Sequence, residues 1–248
     1  MTIQLQLLGD HALYGPAAAP GPGVLVLHGA EGPMAGWAHR FAVILAAQGF
    51  RALPFSYGEG SFFGAGPIRE VDLGRTEAVL IDFADHPEVT RTGVFGWSKG
   101  AEHALLLAAG LGKANPLAAL AVHAAPDHVL GAFDPADIGA DGWPRLPAEP
   151  DAPRAWTWDK EDAPNLTPGA QIAIELYAGP VFLSHGLEDP VIPAAATRRL
   201  AERLTQEGRP PDVFLAESQG HGFSFDREPE LWDRLTGFFA RHLGAPVG

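Results

Sequence analysis

From residue 24 onward the chain alternates short unbroken apolar runs with longer amphipathic stretches, and glycine, proline and acidic residues punctuate them. Val24-Leu-Val-Leu-His28 is continuous, as a strand covered on both faces requires, and Gly29-Ala-Glu-Gly-Pro33 breaks it into a loop. A helix follows over about 35–48 with Gly49 at its end, then a buried strand over 51–55 and a glycine-rich loop over 56–67. Helical spacing at Val71, Ala78, Val79, Ile81, Asp82 and Phe83 predicts a helix over 70–85, which Pro87 stops. Residues 92–95 form the next strand, and 99–109 an Ala/Leu-rich helix. Strands over 117–123, 181–185 and 213–216 and helices over about 194–206 and 229–243 complete the series. Strands alternating with helices predict an α/β architecture, a mostly parallel sheet with helices on both faces. Residues 2–14 read as one or two edge strands, and 15–23 as a turn or linker. The long segment 124–180, rich in proline and bearing Trp143, Trp156 and Trp158, interrupts the rhythm before the strand at 181. It reads as a cap-like insertion within one domain spanning 1–248.

Composition narrows the chemistry. A chain of 248 residues, 46% of them hydrophobic, can bury one substantial core. With no cysteine, disulfides, thiolate metal sites and cysteine nucleophiles are excluded, so covalent chemistry falls to oxygen or nitrogen. The formal charge of -13 argues against nucleic acid as a partner and against strongly anionic ligands. Residues 1–10 carry no basic residue and no apolar run reaches membrane-spanning length, so a soluble cytoplasmic protein with no membrane partner is expected. The histidines lack the paired short spacing of a metal site, and no metal or cofactor is expected. The loop Gly58-Glu-Gly60-Ser-Phe-Phe-Gly64 has one residue too many for a dinucleotide fingerprint and meets Pro67 instead of a helix. It reads as a substrate-pocket loop.

Between the strand at 92–95 and the helix at 99–109 lies Gly96-Trp97-Ser98-Lys99-Gly100. A serine forced onto so tight a strand-to-helix turn needs residues without a Cβ two before and two after it, and Gly96 and Gly100 meet that need. Such a turn lifts the hydroxyl above the sheet and points it at a helix N-terminus, where a developing oxyanion is stabilised. Ser98 is therefore the candidate nucleophile. A serine hydroxyl needs a base, and the base a carboxylate that holds its tautomer. In a parallel sheet both belong just beyond strand carboxyl ends. Asp189 follows 181–185 through Gly186-Leu-Glu, and His221 follows 213–216 through Glu217-Ser-Gln-Gly. The order Ser98, Asp189, His221 is that of an α/β-hydrolase triad. Glu188 is the rival acid. Of the other histidines, His28, His123 and His185 at strand ends read as packed or hydrogen-bonded, and His39, His86, His103 and His242 as surface residues. The backbone N–H groups of Ala30 and Lys99 are the candidate oxyanion donors, with no role given to the side chains of Lys99 or Glu31. Phe62, Phe63, Trp143, Trp156 and Trp158 are the candidate substrate-binding residues.

These segments carry a family resemblance. His86-Pro-Glu-Val followed by Gly93-Val-Phe-Gly-Trp-Ser-Lys-Gly-Ala-Glu, and Ile174-Glu-Leu-Tyr-Ala-Gly-Pro-Val-Phe-Leu-Ser-His-Gly, resemble the α/β-hydrolase catalytic domain shared by acyl-CoA thioesterases and bile-acid-CoA:amino-acid acyltransferases. Gly186-Leu-Glu-Asp-Pro-Val-Ile-Pro and Gly220-His-Gly-Phe are equally similar to the dienelactone hydrolase group. The resemblance covers roughly residues 20–245 and implies an α/β-hydrolase fold, with Ser98 as nucleophile and Asp189 and His221 as its partners. It implies a small-molecule acyl ester or thioester as substrate, cleaved through an acyl-enzyme. Serine rather than cysteine at the elbow favours transfer to water. A dienelactone hydrolase-like carboxylesterase that uses no CoA, and a non-catalytic hydrolase-like binding protein, are the other readings.

Overall fold

The unbroken apolar runs become the middle of a sheet. In a computed structural model, which describes residues 2–17, 20–32, 37–61, 64–112, 115–138 and 147–244, the chain forms β1 (Ile3–Leu8), β2 (His11–Pro16), β3 (Gly21–Leu27), α1 (Trp37–Ala47), β4 (Arg51–Phe55), β5 (Gly60–Ser61), β6 (Gly64–Ala65), β7 (Val71–Asp72), α2 (Leu73–Ala84), β8 (Val89–Trp97), α3 (Lys99–Gly110), β9 (Leu117–His123), β10 (Trp156–Thr157), β11 (Val181–Gly186), α4 (Ala195–Gln206), β12 (Asp212–Ala216) and α5 (Glu228–Leu243). The main sheet runs β1-β2-β4-β3-β8-β9-β11-β12. From β4 to β12 every neighbouring pair is parallel, while β1 and β2 close one edge antiparallel. This is the α/β-hydrolase fold.

The continuous run of β3 serves two layers at once. Val24 and Val26 face a core with Phe41 of α1 and Phe238 and Phe239 of α5, whereas Leu25 and Leu27 face one with Leu80 of α2, Leu105 of α3 and Leu200 of α4. Successive strand residues point to opposite faces, so a run that is apolar at every position is what a twice-covered strand needs.

Several boundaries differ from expectation, each for a local reason. The stretch expected as a turn over 15–23 instead contributes Gly15 and Pro16 to β2 and Gly21–Gly23 to β3. The helix expected from residue 70 begins at Leu73, because Glu70 has a positive φ of 50° and Asp72 caps the helix by accepting the Gly74 N–H at 2.8 Å. Val71 and Asp72 pair with Trp156 and Thr157 of the 124–180 segment. That segment inserts Phe133, Trp156, Ile172 and Ile174 into the same core as α3. Among the described residues, no helix is long and apolar enough to cross a membrane.

Candidate active site

β8 ends in the elbow. Ser98 has φ 55° and ψ −117°, a conformation that costs a residue with a Cβ strain energy and persists only where the surroundings enforce it. The surroundings here are backbone. A Cβ on Gly96 would lie 2.2 Å from the Gly100 carbonyl oxygen, and one on Gly100 would lie 2.3 Å from the His28 carbonyl oxygen. The Ser98 N–H donates to the His123 carbonyl at 2.9 Å, which ties the turn to the end of β9.

The loops after β11 and β12 meet over this turn. His221 Nε2 lies 2.8 Å from Ser98 Oγ, and His221 Nδ1 lies 2.7 Å from Asp189 Oδ2. Because the carboxylate accepts at Nδ1, the proton sits there and Nε2 is free to accept from the serine hydroxyl. Glu188, the rival acid, is exposed, and its N–H donates to the Gln219 carbonyl at 2.9 Å, which joins the acid loop to the histidine loop.

Asp189 has a fully buried side chain that takes more than the His221 bond. Its Oδ1 accepts the Val191 and Ile192 N–H groups at 2.7 and 3.0 Å, and its Oδ2 accepts from His185 Nε2 at 2.9 Å. Burial by itself would raise the carboxyl, but the hydrogen bonds from His185 and His221, the His221 charge and the Val191 N–H outweigh it and hold Asp189 well below the usual carboxylate range. His185 Nδ1 meets Thr197 Oγ1 at 2.7 Å, so α4 steadies Asp189 through this ring. His123 plays the corresponding part for His221. Its Nε2 donates to the His221 carbonyl at 3.1 Å and its ring lies 4.1 Å from that of Trp97. His123 and His185, expected only as packed or hydrogen-bonded histidines, thus hold the loops that carry the site.

Three buried histidines set an acid limit on this arrangement. Burial pushes His28 down to about 4, against a hydrogen bond to the Gly29 carbonyl, and pushes His103 and His123 down to about 3. His103 is fully buried rather than on the surface as expected, because α3 lies between the sheet and the 124–180 segment and is covered all round. In the unfolded chain these rings titrate near 6.5, so between about pH 4 and 6.5 the unfolded state binds more protons and stability must rise with pH. The stabilisation is complete above about pH 6.5 and is lost as pH falls toward the folded values. Denaturant titrations at pH 7 and pH 5 should show stability lower at pH 5 by roughly 2–6 kcal/mol, about 1.4 kcal/mol per pH unit below 6.5 for each of one to three rings; equal stabilities would mean that the rings are already charged in the fold.

Beside Ser98 opens a cavity of about 340 Å³ lined by Ala30, Glu31, Trp37, Trp97, Ser98, Phe133, Val191, His221, Gly222, Phe223, Phe225 and Glu228. Ala30 and Lys99, the expected oxyanion donors, lie in the loop three residues past β3 and at the start of α3, and among the described residues neither backbone N–H has an acceptor. Glu31, given no role from the sequence, lines the cavity and accepts the Gly29 N–H at 2.9 Å; burial raises its carboxyl, partly offset by the Gly29 and Glu31 N–H groups and by His221. Of the residues expected to bind substrate, Phe62, Phe63 and Trp143 lie outside the described residues. Trp156 and Trp158 do not line the cavity. The indole N–H of Trp156 donates to buried Glu102 at 2.8 Å, and that of Trp158 to Glu77 at 3.2 Å, so both rings face α2 and α3. The wall comes instead from Trp97 within the elbow and from Phe223 and Phe225 beyond His221, positions marked in the sequence by adjacency to Ser98 and His221. Phe133 and Val191 reach it only through the fold. Glu228 in the lining is held by a bidentate pair with Arg40 at 2.5 and 2.6 Å. Among the described residues no group of three or more histidine, aspartate or glutamate side chains is arranged to hold a metal ion.

Comparison with known proteins bears on the family and the fold. A family model described as the prolyl oligopeptidase family matches residues 83–246. Esterase YjfP of Escherichia coli (strain K12) is 38% identical over 69 residues, a match that spans 28% of this chain and 27% of that protein. Among solved structures, a dienelactone hydrolase-like promiscuous phosphotriesterase, P91, from metagenomic libraries superposes with a TM-score of 0.61 at 17% identity over 94% of this chain and 92% of its own. The esterase domain of a Rhodothermus marinus protein gives 0.63 at 18% identity, covering 94% of this chain and 93% of its own.

Proposed function

The chain belongs to the prolyl oligopeptidase family of α/β-hydrolase-fold proteins, and from that premise we propose that it is a serine hydrolase acting on uncharged, apolar carboxylic esters through an acyl-enzyme. The observation that carries the reading is the unbroken chain of hydrogen bonds Ser98 Oγ–His221 Nε2 and His221 Nδ1–Asp189 Oδ2, at 2.8 and 2.7 Å. In this reading His221 takes the Ser98 proton as Oγ attacks the ester carbonyl, and Asp189 stabilises the imidazolium that results. The N–H groups of Ala30 and Lys99 receive the oxyanion. The proton on Nε2 then passes to the leaving alkoxide, and a water deprotonated by the same nitrogen releases the acid. A structure in which the nucleophile already meets its base is the cheapest start for such a step, since little entropy is left to lose.

The wall selects the substrate. Its apolar part is Trp37, Trp97, Phe133, Val191, Phe223 and Phe225, and among its described residues there is no lysine or arginine. With a net charge of -13 the molecule repels polyanions, so oxygen esters are favoured over CoA thioesters. A panel of p-nitrophenyl esters, neutral lactones and acyl-CoAs sharing one acyl group tests this. The uncharged esters should exceed the CoA thioester in kcat/KM by roughly 10–1,000-fold at low ionic strength, the range over which field effects act on association. A CoA thioester turned over as fast would make the protein a thioesterase. Failure to turn over any of them, with Ser98 unlabelled by a fluorophosphonate, would leave a binding protein.

A further inference from the structure

In the mechanism above Lys99 contributes only its backbone N–H, yet its side chain is fully buried. A buried ammonium requires an acceptor for each of its three N–H bonds, and here it has them. Lys99 Nζ donates to Glu102 Oε2 at 2.8 Å, to the Leu130 carbonyl at 3.1 Å and to the Gly131 carbonyl at 2.9 Å. Glu102, also fully buried, accepts on Oε1 from the Leu130 N–H at 2.7 Å and from the Trp156 indole at 2.8 Å. We propose that Lys99 and Glu102 are positioning residues, a buried polar anchor that holds the 129–133 wall of the substrate cavity in register with the nucleophile elbow. The inference deepens the esterase reading and rests on it for its effect on substrates.

Connectivity carries the argument. One residue after Ser98, Lys99 places its N–H at the oxyanion position and its ammonium on Leu130 and Gly131, two residues short of Phe133, which lines the cavity. The wall's backbone bonds run elsewhere: Val129 N–H to Ala170, Gly131 N–H to Pro147, Ala132 N–H to Pro153 and Phe133 N–H to Ile68. These tie the wall to other loops, whereas the bonds from Lys99 and Glu102 reach α3. Apolar side chains of similar volume would fill the space about as stably, because a buried ion pair gains little over good packing. They would not fix a register, since dispersion has no direction and a hydrogen bond does. The pair therefore serves placement more than stability.

The test compares wild type, Lys99→Met and Phe133→Ala on p-nitrophenyl acetate and p-nitrophenyl hexanoate, with hydrogen exchange read at the backbone. Lys99→Met is expected to lower kcat/KM for hexanoate about tenfold more than for acetate, chiefly through KM, and to speed exchange in 129–133 while the middle of α3 keeps its protection. Phe133→Ala should remove the same chain-length preference, and adding Lys99→Met to it should remove no more, as expected of two changes acting on one element. A purely structural lysine would depress both esters equally by reducing the folded fraction, and that result, or unchanged protection of 129–133, overturns the proposal. If Lys99→Met does not fold, Lys99→Met/Glu102→Gln, which leaves no buried charge, takes its place, and an unaltered preference in it is equally fatal. A wild-type chain that hydrolyses neither ester overturns the esterase reading instead, and the exchange measurement then decides the anchor alone.

Discussion

Replacing the elbow serine, Ser98→Ala, is expected to lower kcat/KM by about 10⁴–10⁶-fold, some 5–8 kcal/mol of lost transition-state stabilisation, while the protein stays folded. The loss is large because no other oxygen can take its place. Ser98 is held at φ 55° by a turn whose flanking glycines leave no room for a Cβ, and its Oγ is the group that His221 Nε2 faces at 2.8 Å. The fold survives because alanine carries the same Cβ, so the turn is no more strained with alanine than with serine. What disappears is one hydrogen bond, worth about 1 kcal/mol, and the melting temperature should fall by no more than a few degrees. Activity would persist only to the extent that the Ala30 and Lys99 N–H groups and the cavity still bind a transition state attacked by water. Steady-state kinetics on the best ester from the panel, with active-site labelling to exclude wild-type contamination, decides the matter. Near-normal turnover by a folded Ser98→Ala protein would remove the nucleophile from the mechanism.

The reason the elbow could be read from the chain is that its requirement is local. Two glycines four residues apart, a strand before and a helix after, leave the residue between them few conformations, and the steric reason is visible in the 2.2 and 2.3 Å at which a Cβ on either glycine would meet a backbone oxygen. Asp189 and His221 were legible by another route, since a parallel sheet gathers chemistry at strand carboxyl ends and β11 and β12 announce themselves as apolar runs. The central strands were legible for the same reason, with one systematic error at their starts. Gly21–Gly23 look like a linker by composition, yet they pair with β8 and β4 because the sheet supplies partners that a local reading cannot see.

The cavity wall was the least legible part. A tryptophan in a long irregular segment suggests a ligand surface, but Trp156 finds a buried carboxylate for its indole N–H and joins the core, and nothing near it in the chain foretells Glu102. Histidines failed in the same way. His103 sits in an Ala/Leu-rich helix where an amphipathic reading assigns it to the outside, but α3 is covered on all sides and has no outside. The same tertiary cover explains Lys99 and Glu102, charged residues in a buried first turn whose partners lie 28–54 residues further on or in each other. Long-range polar pairing leaves no local periodicity. It becomes legible only when the fold closes the loop.

The substitution Asp189→Asn should cost about as much as loss of the nucleophile, roughly 10⁴-fold in kcat, with KM little changed. Asp189 faces four donors, His185 Nε2, His221 Nδ1 and the N–H groups of Val191 and Ile192. An asparagine has one acceptor oxygen and one donor NH₂. If its oxygen takes the Oδ1 place to satisfy the two backbone N–H groups, its NH₂ points at His185 and His221, and His221 must then present an unprotonated Nδ1. The proton moves to Nε2, which faces Ser98 Oγ as a donor and can no longer accept from it. If the amide turns over, its oxygen serves the two histidines and its NH₂ is driven against two backbone donors in a fully buried position, which costs about 1–3 kcal/mol for each unmet group. Tautomer control or stability is lost either way. Because Asp189 is held well below the usual carboxylate range in the native protein, wild-type activity should show no acid limb from this group above about pH 4, and the Asn variant should stay slow at every pH at which it folds. Retention of more than a tenth of wild-type kcat near pH 7 would show that the ring keeps its orientation and tautomer without the carboxylate, and the acid would lose its place beside His221.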